Sequence, residues 1–125
     1  METNINEVEI NGTKYIRKDS VTINNIASPV NGLKLVMIRT YSAGVHYGYL
    51  KSREGKEVVL LNASRVWYWS GAASLSQLAT EGTTKPNDCK FSVEVPEIIL
   101  TESIEIISMT EKAINNLNSI KKWKV

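Results

Sequence analysis

Between Leu33 and Trp69 the sequence favours extended structure almost throughout. Four stretches follow closely, Leu33–Tyr41, Val45–Ser52, Glu57–Leu61 and Arg65–Trp69, rich in apolar, β-branched or aromatic residues. Such residues suit a pleated, half-buried surface. Leu35-Val-Met-Ile38 is a continuous apolar run, as expected of a central strand covered on both faces. Gly44 bends or breaks the chain after it. Arg53-Glu-Gly55 reads as a turn, which makes Glu57–Leu61 the hairpin partner of Val45–Ser52.

The flanking segments add to the same picture. Ile5–Arg17 reads as a hairpin, because Val8 and Ile10 alternate with Glu7 and Glu9 before Asn11-Gly12. Asn-Gly suits a type I′ turn, in which both central residues need positive φ. Segment 18–32, rich in Ser, Asn and Thr, reads as a linker or irregular loop with room for one short strand at Val21–Ile23. Ala72–Glu81 has Leu75, Leu78 and Ala79 at helical spacing, and Gly82 stops it. Phe91–Val95 and Ile98–Ile107 look extended, with Pro96 between them. Thr110–Ile120 reads as a second helix, capped by Thr110 and striped by Ala113, Ile114, Leu117 and Ile120. Lys121–Val125 closes the chain as a short strand.

About seven short strands against two helices, at this spacing, predict a mostly-β α+β fold, a small barrel-like or sandwich antiparallel sheet. The whole chain, 1–125, reads as one domain: hairpin 5–17, linker 18–32, core 33–113, and a C-terminal helix with a basic tail over 110–125. A net charge of +2 is too small to mark a duplex nucleic-acid binder. One cysteine, Cys89, excludes an internal disulfide and a Cys-rich zinc site. No apolar run approaches a membrane span, and the acidic start Met1–Glu7 lacks the pattern of a signal peptide. The expectation is a soluble intracellular protein without cofactor or metal.

Two dense patches carry the functional reading, Arg39-Thr-Tyr-Ser-Ala-Gly-Val-His-Tyr-Gly-Tyr-Leu50 and Arg65-Val-Trp-Tyr-Trp-Ser-Gly71. Each sets an arginine beside aromatic rings, which suits a ligand with both anionic and flat parts. Arg39 and Tyr41 share a strand face next to the small residues Ser42, Ala43 and Gly44. A guanidinium beside accessible backbone amides can clamp a phosphate. The competing reading pairs Arg39 with a glutamate on a neighbouring strand. His46, the single histidine, has no nucleophile or carboxylate in a catalytic pattern around it, so it reads as a structural or ligand-bonding side chain. Tyr47 and Tyr49 point to one side and His46 to the other; Tyr49 is a candidate stacking ring, with ordinary cross-strand packing as the alternative. Trp67 and Trp69 divide between core packing and a pocket or interface. Lys121, Lys122 and Lys124 form a solvated tail or add charge to a site. Cys89 is given no role.

These residues also carry a resemblance. Arg39-Thr-Tyr-Ser-Ala-Gly-Val-His46, Gly48-Tyr-Leu50, Gly55-Lys-Glu-Val58, Asn62-Ala63, Arg65, Trp67-Tyr-Trp69 with Gly71-Ala72, Ile98-Ile-Leu-Thr101 and Glu105-Ile-Ile107 together resemble a widespread family of small phage-encoded proteins catalogued as a domain of unknown function. The resemblance covers Leu33 to Ala113. One departure is Ser64, where the pattern leads us to expect a second basic residue before Arg65. Such a family is similar to the anti-CBASS sponges, which bind cyclic oligonucleotide immune signals without cleaving them, often as small homo-oligomers. The resemblance implies a non-enzymatic protein in the cytoplasm of an infected bacterium. Its partners would be a cyclic nucleotide second messenger, for example 3'3'-cGAMP, and further copies of itself as a dimer or tetramer, with no membrane and no duplex nucleic acid. The candidate ligand residues are Arg39, Tyr41, Ser42, Gly44, His46, Tyr49, Arg65, Trp67 and Trp69. The alternatives are a protein-interaction or virion accessory role, a single-stranded nucleic-acid binder, and a phosphodiesterase.

Overall fold

The computed structural model describes residues 7–10, 13–16 and 26–125. Strands β1 (Glu7–Ile10) and β2 (Thr13–Ile16) pair antiparallel, Ile10 opposite Thr13. This is the expected hairpin; Asn11-Gly12 and the strand expected at Val21–Ile23 lie outside the described residues.

The body is a six-stranded antiparallel sheet with two helices. It comprises β3 (Leu35–Thr40), β4 (Val45–Glu54), β5 (Glu57–Tyr68), β6 (Lys90–Phe91), β7 (Val95–Leu100) and β8 (Ser103–Ser108), with α1 (Leu75–Glu81) and α2 (Glu111–Asn118). The order across the sheet is β5-β4-β3-β8, and β6 and β7 both pair with the remaining edge of β5. Pro96, lacking an N–H, is tolerated on β7 because that strand has β5 as its one described ladder partner.

The sheet does not close into a barrel. Strands β7 and β8 lie at opposite edges yet are joined by Thr101-Glu102 alone. Three Cα steps therefore bring the two edges within about 11 Å. No described ladder joins them. Polar groups at the turn bond elsewhere: Ser103 donates from N and Oγ to Lys56 O, at 3.0 and 2.8 Å, and Glu102 O accepts from Tyr41 N at 2.9 Å. The result is a strongly curled, open sheet in a sandwich-like α+β fold.

Each face of the sheet has its own core. Inside the curl lie Val36, Ile38, Val58, Leu60, Ala63 and Leu100, as cross-strand pairs such as Ile38 with Ile106 and Val58 with Leu100 require. Met37, Tyr47, Val66 and Phe91 on the opposite face meet Leu78 and Ala79 of α1 and Ala113 and Leu117 of α2. The run Leu35–Ile38 thus feeds both cores in turn. Helix α1 starts at Leu75, later than expected, because the side chain of Ser74 caps it by accepting from Gln77 N at 3.1 Å. Thr110 caps α2, its Oγ1 accepting from Ala113 N at 3.0 Å.

The two strands expected at Glu57–Leu61 and Arg65–Trp69 are one strand, β5, with a bulge at Asn62, whose φ is 50°. The stretch expected to be extended over Phe91–Val95 joins the sheet only at its two ends, Phe91 in β6 and Val95 in β7. The tail 121–125 is not a strand; a single parallel bridge, Phe91 with Lys122, ties it down, and Trp123 N donates to Phe91 O at 2.8 Å.

Candidate functional site

The bulge decides where Arg65 points. Before it, Val58 and Leu60 face the inside of the curl; after it, Ala63 does, so one extra residue has reversed the alternation. Arg65 therefore falls on the inner side, directly across the ladder from His46. Arg65 Nε donates to His46 Nε2 at 3.1 Å. The ring of His46 is 1% exposed. Burial, and then the Arg65 charge, push its pKa down from 6.5 to about 4. At neutral pH the imidazole is uncharged. Because Nε2 accepts from Arg65, its proton sits on Nδ1, a buried donor with no described partner.

Two cavities meet at Arg65. One, of about 320 Å³, is lined by Ser42, Ala43, Gly44, Arg65, Val66 and Trp67. The other, of about 220 Å³, is lined by His46, Ala63, Arg65, Ser92, Val93, Val95 and Ile98. Arg65 itself is exposed, and the described ion pairs are Arg39–Glu105 and Lys51–Glu97, so no described carboxylate neutralises it. Its backbone N–H donates to Ser92 Oγ at 2.7 Å, which holds the strand to the β6–β7 connection.

The C-terminal tail returns to this end of the sheet. Trp123 stacks on Trp67, with ring centroids 6.0 Å apart and planes 23° off parallel, and Lys90 Nζ lies 5.1 Å from the Trp123 ring centroid. Lys122 Nζ donates to the buried Ser64 Oγ at 2.9 Å and stands 5.6 Å from the Tyr47 ring centroid. Burial lowers the Lys122 pKa, opposed by the nearby Glu94 carboxylate. Burial, and secondarily Glu94, raises the Tyr47 hydroxyl to about 12. Ser64, the position that departs from the expected basic residue, thus carries the ammonium of Lys122 on its hydroxyl.

The structure gathers some of the expected ligand residues and separates others. Ser42, Gly44, Arg65 and Trp67 line one cavity and His46 joins Arg65 in the next. Arg39 takes the competing reading: it faces Glu105 on β8, Nε to Oε1 3.6 Å, on the side of the sheet opposite Arg65. Tyr41 is 77% exposed. Tyr49 lines a different cavity with Val30, Asn31, Leu33, Leu61 and Asn62. Trp69 packs against the helix-side core, while Trp67 is 61% exposed. The loop offers less than expected to an anion, since Ala43 N already donates to Thr40 Oγ1 at 2.8 Å and Ser42 Oγ to Glu102 Oε1 at 2.9 Å.

Sequence reasoning missed Lys90, Ser92, Val93 and Trp123 as members of this region. The aromatic and basic character of Trp123 and its neighbours was the available signal. Among the described residues, no cluster of three or more His, Cys, Asp or Glu side chains is placed to hold a metal ion. Among the described residues, no helix is long and apolar enough to cross a membrane.

No curated protein and no solved structure matches the chain. A family model does match, over residues 33–117, which takes in both patches, α1 and all but the last residue of α2, and leaves out Lys122 and Trp123. On that match the chain belongs to the DUF6948 family, a domain of unknown function.

Proposed function

We propose that this protein binds a nucleotide ligand at Arg65 and holds it without cleaving it. In this reading it is a phage-encoded anti-CBASS sponge that sequesters a cyclic oligonucleotide immune signal in the infected cell, as a homodimer or homotetramer. The observation that carries the proposal is Arg65, exposed between two cavities beside Trp67, whose ring carries Trp123 on one face and is still largely exposed. With Nε engaged by His46, the two amino groups of the guanidinium are left to meet phosphate oxygens. A base laid on an aromatic face gains about 1–3 kcal/mol. The depressed pKa of His46 makes it a weak base at neutral pH, in keeping with binding rather than turnover. The resemblance to phage families and sponges supplies the choice of cyclic oligonucleotides.

A thermal-shift screen against cyclic di- and trinucleotides tests the reading. A ligand that binds only the folded state raises the midpoint by mass action. We expect a shift with one cyclic dinucleotide, recovery of that ligand intact after denaturation, and loss of the shift in Arg65→Ala. Turnover of the ligand, or an undiminished shift in folded Arg65→Ala, would overturn it.

One observation favours a second reading. Trp67 and Trp123 form a stacked pair that stays 61% and 48% exposed, and Trp is enriched at protein interfaces. A stable complex with a phage or host protein, lost in Trp67→Ala, together with no shift from any nucleotide, would establish a protein-interaction role instead.

A further inference from the structure

Known ligand pockets run from about 300 to 1,000 Å³. The cavity beside Trp67, about 320 Å³, is at the bottom of that range, and the cavity beside His46, about 220 Å³, is below it. The first reaches the lower limit alone, and the two together make a roomier site. Their linings share Arg65, an exposed cation. They differ otherwise: one presents the Ser42–Gly44 loop and the Trp67 ring, the other the aliphatic Ala63, Val93, Val95 and Ile98 around His46.

We infer that the ligand straddles Arg65, with a phosphate link on the guanidinium, one base in the Trp67 cavity and a second in the His46 cavity. This rests on the nucleotide-binding reading above and names the ligand class within it: two bases joined through phosphate, unlike each other, since the two cavities differ. A mononucleotide fills one cavity and leaves the other empty.

Calorimetric titration of the full chain with three probes, cyclic GMP–AMP, the linear dinucleotide guanylyl-adenosine and GMP, tests the straddle. The variants are Ala43→Trp and Val93→Trp, each at an exposed position on a different cavity. Unchanged melting midpoints check that both fold. We expect each variant to weaken dinucleotide binding by about ten-fold or more, or 1.4 kcal/mol. GMP should bind more weakly than the dinucleotides and respond to one variant only. Dinucleotide affinity unchanged in either variant overturns the straddle while leaving the sponge reading standing. Binding of the linear but not the cyclic dinucleotide, sensitive to both variants, supports the straddle and overturns the sponge. Silence toward all three probes overturns the straddle, and overturns the sponge as well when the screen against the other cyclic di- and trinucleotides is also silent.

Discussion

Arg65 donates from Nε to Nε2 of His46 at 3.1 Å, between residues that face each other across β4 and β5. The bond fixes the neutral tautomer of His46 and sets a pH dependence. The folded-state pKa of about 4 lies below the ordinary 6.5, so between these values the unfolded chain binds the proton that the folded one refuses. Stability is then full above pH 6.5 and falls as the pH drops through 4, by roughly 3 kcal/mol in all. Urea denaturation at pH 7 and pH 4.5 should show this loss in the parent protein and a smaller one in His46→Gln. Equal losses in the two proteins would count against the assignment.

The two arginines of the dense patches should behave oppositely. Arg39 shares a half-exposed ion pair with Glu105, and such pairs contribute about 0–1 kcal/mol. Arg39→Ala is expected to shift stability by less than 1 kcal/mol and to leave nucleotide affinity unchanged. Arg65→Ala should abolish that affinity, because it removes the cation common to both cavities. Side-by-side titrations would reverse our view of the site if Arg39→Ala were the damaging change.

Lys122 anchors the tail through Ser64 and Tyr47. Lys122→Met keeps most of the bulk and deletes the charge, leaving the buried Ser64 hydroxyl without that donor. We expect a loss of about 1–2 kcal/mol. Tryptophan fluorescence should change as well, because Trp123 is held against Trp67 by the same tail. A variant as stable as the parent, with unchanged emission, would mean that the tail is not anchored there.

Gly48 has no room for a side chain. A Cβ there would lie 2.9 Å from Ala63 Cα, 3.0 Å from Ala63 Cβ and 3.0 Å from Leu61 O. Gly48→Ala must push β4 and β5 apart beside the bulge, at about 1–3 kcal/mol. Gly55, with φ of 60° and open space around its Cβ position, isolates the backbone effect. The Gly55→Ala variant should lose less than Gly48→Ala in chemical denaturation; the reverse order would place the tight contact elsewhere.

What could be read from the sequence was local. The run Leu35–Ile38, the Asn11-Gly12 spacing and the stripe along Thr110–Ile120 depend on neighbours a few residues away, and strand, hairpin and helix followed. Residues 33–117, matched by the family model, nearly coincide with the Leu33–Ala113 extent of the resemblance. What escaped was non-local or geometric. Arg39 meets Glu105 only because β8 comes back beside β3, and Lys122 reaches Ser64 across 58 residues of sequence. The bulge rests on one left-handed asparagine, and composition alone read its flanks as two strands.

That asparagine also makes backbone conformation a chemical variable. Along β5 inside and outside exchange roles at Asn62, so a single strand serves the core before it and the cleft after it. Were position 62 to take ordinary extended φ with no residue lost, Arg65 would turn toward the helices and Val66 would face the cleft, exchanging cation for hydrocarbon with no codon for either residue altered. Deleting Asn62 would instead regularise the strand and leave Arg65 facing the cleft, because the bulge is the one residue in excess. The left-handed turn of a single backbone unit therefore decides which side chain the cleft receives.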